Sequence, residues 1–120
     1  MRRLLISLVL LVSGAAWAGE ADVVDVKVRR VSPGVYNFDV TVKSNDTGWS
    51  HYADAFEVLG PDGKVLGQRI LFHPHETEQP FTRDLYGVHI PPGVRVVVIQ
   101  GRDQRHGWGG GTIEVALPGR

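Results

Sequence analysis

The sequence predicts an all-β sandwich of seven antiparallel strands. Three observations carry that expectation. Apolar and polar residues alternate with period two in several separate stretches. Clusters of Pro, Gly, Asn and Asp punctuate the chain between those stretches. No segment shows the 3.6-residue apolar period of an amphipathic helix, and no internal repeat or linker is visible.

Taken in order, Val24, Val26 and Val28 alternate with Asp25, Lys27 and Arg29, so residues 22–31 read as a half-buried strand. Ser32-Pro33-Gly34 is a tight turn. Tyr36, Phe38, Val40 and Val42 then alternate with Asn37, Asp39, Thr41 and Lys43, which completes a hairpin. Residues 44–51 form a polar loop rich in turn formers. A third strand spans Tyr52 to Leu59, Gly60-Pro61-Asp62-Gly63 turns the chain, and a fourth runs from Lys64 to Phe72. The fifth extends from Phe81 to Ile90, with Gly87 marking a bulge. After Pro91-Pro92-Gly93, the run from Val94 to Ile99 is apolar on both faces at its centre and reads as a central strand. A glycine-rich loop at 103–111 leads into a last strand containing Ile113, Val115 and Leu117.

Seven short strands at this spacing in about a hundred residues indicate a sandwich of the immunoglobulin or fibronectin type III kind. The run Ile90-Pro91-Pro92-Gly93-Val94-Arg95-Val96 resembles the turn that leads into the sixth strand of fibronectin type III domains, with Val96 where a Tyr is usual. That resemblance implies the architecture and nothing about function.

The chain opens Met1-Arg2-Arg3, continues apolar from Leu4 to Val12, and closes that segment with Ala16-Trp17-Ala18. This is the pattern of a secretory signal peptide cleaved after Ala18, leaving one domain at residues 19–120. The apolar run is too short to span a bilayer. The expected product is therefore exported, periplasmic or secreted, with no membrane span. The sequence has no Cys, which excludes disulfides and lipid attachment at a signal-peptide Cys. Of 13 basic residues two, Arg2 and Arg3, lie in the leader; the remaining 11 against 13 acidic ones give a net charge of −2. Such a balance offers no basis for binding nucleic acid.

In an antiparallel sandwich the connections alternate between two ends. The short ones at 32–34, 60–63 and 91–93 should share one end. The longer ones at 44–51, 73–80 and 103–111 should share the other, and they hold four of the five histidines. Loops on a rigid scaffold are where function concentrates. His51, His73, His75 and His106 are accordingly the candidate ligands of a divalent metal, Zn²⁺ or Cu²⁺, with Glu76 or Glu78 supplying oxygen. The lack of Cys excludes a blue-copper thiolate site, and Met1 is the only Met. The bland alternative is that these histidines only bond loop backbone.

A metal-free rim is the rival reading. Trp49 and Trp108, with Tyr52, could offer flat apolar surface to an unknown protein or small ligand, or could fold inward over the core. Gly109-Gly110-Gly111 would let backbone approach a ligand closely. Asp54 and Arg83 fall on apolar faces of their strands. They are expected to pair, or to orient a loop histidine each, unless the strand phase slips and both face water. Glu78 and Arg83 join the candidate binding residues. Catalysis is not expected. Ser50-His51 with Asp54 lacks a nucleophile-elbow motif, and Glu76 and Glu78 sit on a loop with no evident cleft. His89 lies near the opposite turn and is assigned no role.

Three stretches together resemble a group of small exported bacterial proteins without assigned function. They are Asp46-Thr47-Gly48-Trp49-Ser50-His51-Tyr52-Ala53-Asp54, His73-Pro74-His75 through Glu78-Gln79-Pro80-Phe81-Thr82-Arg83, and Arg102-Asp103 through His106-Gly107-Trp108-Gly109-Gly110. The resemblance spans nearly the whole mature chain and implies no activity, ligand or partner.

Overall fold

The computed structural model describes residues 20–120. The expected leader and its cleavage site lie outside the described residues. Seven strands follow in chain order: β1 (Asp22–Ser32), β2 (Val35–Lys43), β3 (Ala53–Leu59), β4 (Val65–Ile70), β5 (Phe81–His89), β6 (Val96–Asp103) and β7 (Ile113–Ala116). They form two antiparallel sheets, ordered β1-β2-β5 and β4-β3-β6-β7. The all-β, seven-stranded expectation is met, and β6 is an interior strand of its sheet as its apolar run requires.

The core comes from the inward positions of the alternating strands. Tyr36, Phe38, Val40 and Val42 of β2 meet Phe56 and Val58 of β3 and Val97 and Ile99 of β6, with Phe81 and Val88 of β5 closing the cluster. Burial in β2 alternates residue by residue, so its polar face turns outward. Phe56 is fully buried, and truncating such a ring to Ala costs about 3–5 kcal/mol. On the outer face of the four-stranded sheet, Glu57 is covered but paired. Gln68 and Gln100, its register partners on β4 and β6, each donate to one of its carboxylate oxygens, at 2.9 and 3.0 Å.

Two irregularities decide where side chains point. Gly87 adopts φ 73° within β5, where the pairing slips against β2 and Asn37 Oδ1 accepts a 2.8 Å bond from its N–H. This is the bulge anticipated from the sequence. A second bulge lies in β3: Ala53 pairs with Asp103 and Ala55 with Arg102, leaving Asp54 as the extra residue. A third finding corrects the strand bounds. β6 starts at Val96, two residues later than expected, and runs on to Asp103.

Antiparallel order puts the β2–β3, β4–β5 and β6–β7 connections at one end, and the contacts between them agree. Gln104 N–H donates to the Tyr52 carbonyl, and Leu71 N–H to the Asp54 carbonyl. The opposite end is closed by Arg120, whose guanidinium donates to the carbonyls of Ile90, Pro91 and Val94.

Candidate functional site

Burial in β6 alternates strictly, and Val97, Ile99, Gly101 and Asp103 are its buried positions. Asp103 is thus a carboxylate delivered to the core side of the sheet at the open end of the sandwich, fully buried. Its Oδ1 accepts the N–H groups of Arg105 (2.8 Å) and His106 (3.0 Å), an Asx-type turn that starts the β6–β7 loop. That turn brings the His106 ring back, with Nδ1 3.0 Å from the same oxygen. From the β2–β3 loop comes His51, 6 % exposed, with Nε2 3.1 Å from Asp103 Oδ2. The two imidazoles lie 5.2 Å apart, inclined at 62°.

Donor supply around this carboxylate is uneven. Oδ1 has three donors, whereas Oδ2 is covered and receives no aligned hydrogen bond, despite its proximity to His51. A buried carboxylate oxygen in that state is costly without a cation or donor. One ligand atom from each of His51, Asp103 and His106 falls within 4.8 Å of the other two. A tetrahedral Zn²⁺ with bonds near 2.0–2.1 Å needs ligand atoms roughly 3.3 Å apart. His51 Nε2 and His106 Nδ1 lie 3.1 and 3.0 Å from Asp103 oxygens, near that spacing.

The other two histidines belong to a second group, so the single four-histidine constellation expected from the sequence divides into two pairs. His73 and His75 stack at 4.6 Å, tilted by 40°. His75 is 5 % exposed, lies flat on Phe81 at 3.8 Å, and its N–H donates to Asp46 Oδ2 at 2.8 Å. Asp46 also accepts from Ala53 N–H (3.0 Å) and from Ser44 Oγ–H (2.5 Å). Arg83 donates to His75 Nε2 at 3.0 Å. Arg has no acceptor and stays charged, so Nε2 must present its lone pair and the ring must be neutral. Burial, with the charges of Arg83 and then His73, holds His75 below its ordinary value of 6.5, against smaller opposing pulls from Asp46 and Glu78. Metal ligation by Nε2 would have to displace a guanidinium. His73 is exposed, with Nδ1 3.2 Å from the Pro74 carbonyl.

The remaining expectations sort as follows. Asp54 and Arg83 do not pair. Asp54, turned off the core by the β3 bulge, pairs with Arg102 at 2.5 Å, and Arg83 orients His75 and reaches Glu78 at 3.3 Å. Trp49 is 67 % exposed and meets Tyr52 edge-on at 5.9 Å, so it forms no lid over the core. Trp108 is half-exposed. The glycine run serves packing rather than ligand approach. A Cβ on Gly110 would collide with the Ala21 carbonyl, because residues 109–111 lie against the start of β1, where Gly111 N–H donates to Asp22 Oδ1 at 2.7 Å.

Asp103, Asp46 and Arg102 are the site residues the sequence reading passed over. For Asp103 a signal existed: continuing the inward phase of Val97 and Ile99 by twos reaches it. The expected strand stopped at Ile99, but it runs on through Gly101, where Ala21 packs against the backbone.

No family model matches the chain, and no solved structure matches it. Over 96 residues, 80 % of its length, it is 41 % identical to a protein of Halomicrobium mukohataei named "Putative lipoprotein". That stretch is 47 % of the relative, so the chain spans about half the length of the curated protein it matches.

Proposed function

We propose that this chain is an exported, non-enzymatic binding domain of the cell envelope whose loop rim holds a divalent transition metal at His51, Asp103 and His106. One observation carries the reading: a fully buried carboxylate lies within about 3 Å of two imidazoles from different loops, and one of its oxygens has no aligned donor. Two nitrogens and a carboxylate suit Zn²⁺ or Cu²⁺ better than the oxygen-loving Ca²⁺ or Mg²⁺. The fourth position would fall to water or a ligand at the solvent side, where His106 is exposed. Export is supported by the leader-like first eighteen residues and by the name of the Halomicrobium relative.

Calorimetric titration of the metal-free protein with ZnCl2 and CuCl2 tests this. One equivalent should bind with a Kd of about 10 µM or tighter, corresponding to roughly −7 kcal/mol. His51→Ala and His106→Ala should each weaken it at least tenfold, while His73→Ala should leave it unchanged. Equal affinity in all four proteins, or none in the wild type, would overturn the reading. The rival, a metal-free rim for a protein or small ligand, has the exposed Trp49 and Trp108 in its favour.

A further inference from the structure

Two stretches of chain, the loop at His51 and the turn at 103–106, build the histidine–aspartate cluster, and a close neighbour of each cluster residue faces a different place. Next to His51 is Tyr52, next to Asp103 is Arg102, and two residues beyond His106 is Trp108. These neighbours, with Asp54, Gln68 and Phe72, surround a depression of about 360 Å³. Arg102 alternates with the inward Asp103 in β6, which puts the depression on the outer side of the four-stranded sheet. Phe72 is 75 % exposed and Trp108 38 %.

The depression has aromatic walls and a hydrogen-bonding floor. Arg102 takes one oxygen of Asp54 at 2.5 Å; the other, Oδ1, is covered and receives no hydrogen bond. The Asp54–Arg102 pair has no net charge, so nothing in the floor selects an anion or a cation. What it offers is a carboxylate acceptor, guanidinium donors and the Gln68 amide, within reach of flat apolar rings. The matching ligand is uncharged, has an apolar face to lie on an aromatic ring, and carries several groups that both donate and accept. At about 360 Å³ the depression lies at the low end of the volumes that hold small molecules.

We propose that this depression binds a neutral saccharide. One sugar ring stacks on Trp108, and its hydroxyls reach Asp54, Arg102 and Gln68. This proposal stands apart from the metal reading, since no residue of the depression belongs to the metal cluster.

Isothermal calorimetry with maltohexaose, cellohexaose and chitohexaose tests it on the whole mature chain. These probes present an α-linked, a β-linked and an N-acetylated neutral sugar. At least one should bind saturably with a Kd of about 1 mM or tighter. Trp108→Ala and Phe72→Ser, both at exposed positions, should weaken that binding at least tenfold with unchanged circular dichroism, while His106→Ala should not. Absence of saturable heat with all three sugars would overturn the proposal, as would binding that survives both aromatic substitutions. Concentration-dependent dimerisation abolished by Phe72→Ser would overturn it too, assigning the patch to a second copy of the chain.

Discussion

The two histidine pairs make a near-controlled comparison. Each has two imidazoles close together and one buried aspartate, and both touch the β2–β3 loop, at Asp46 and at His51. Around Asp46 both carboxylate oxygens are answered, and the buried His75 Nδ1, 3.9 Å from Asp46 Oδ2, is left without an aligned partner. Ser44, Ala53 and His75 supply three donors, Arg83 holds His75 Nε2, and Phe81 supports the ring from below. Around Asp103 the donors crowd onto Oδ1 and leave Oδ2 without an aligned bond. The composition is alike, but the Asp46 carboxylate has donors on both oxygens, whereas the Asp103 carboxylate has them on one. What distinguishes them is the partners of the carboxylate, not the count of histidines.

Substitution of the two aspartates should show the largest difference. Asp46→Ala orphans the buried Ala53 and His75 N–H groups and should lower the unfolding free energy by about 3 kcal/mol or more in urea titrations. Asp103→Ala, in metal-free buffer, should cost less, about 1–2 kcal/mol, because Arg105 and His106 can turn to water. An Asp103 variant as unstable as the Asp46 variant would erase the contrast.

Metal should come next. At a hundredfold excess over Kd, Zn²⁺ should stabilise the wild type by about 2.7 kcal/mol in thermal unfolding, and His106→Ala by nothing measurable. Loss of that gain in His73→Ala instead would transfer the site to the other pair.

A smaller effect should appear with pH. His75 titrates below its unfolded value of 6.5, so near that value the unfolded chain binds more protons than the folded one. Its contribution to stability is complete above 6.5, is lost as pH falls through 6.5 towards the folded value, and levels off below that. For one proton the slope cannot exceed about 1.4 kcal/mol per pH unit. His75→Gln should flatten this part of the metal-free stability profile; an unchanged profile would mean that His75 is not the group responsible. The smallest effect should belong to His73→Ala, whose exposed ring should change stability by no more than about 0.5 kcal/mol.

Much of the fold was legible because a strand buried on one face writes its period into the residues. Tyr36, Phe38, Val40 and Val42 alternate with polar neighbours, and they alternate in the structure. The convergence of the long loops followed from antiparallel order alone. The expected Asp54–Arg83 pair failed for a local reason: one extra residue in β3 turns Asp54 off the core face, and nothing in Ala53-Asp54-Ala55 announces a bulge. Gly109-Gly110-Gly111 read as ligand access because a sequence shows that a side chain is missing but not what occupies its place, here the Ala21 carbonyl.

By itself, the sequence determined that the chain folds into seven antiparallel strands and that His51, His73, His75, His106, Trp49 and Trp108 gather on the loops of one end. Periodicity and turn chemistry are local, and local interactions suffice for both. Only the tertiary structure decided that His51 and His106 meet at Asp103 while His75 is held by Asp46 and Arg83, and that Asp54 turns to Arg102. Those choices depend on the register between strands distant in the chain, where a shift of one residue exchanges the buried face for the exposed one.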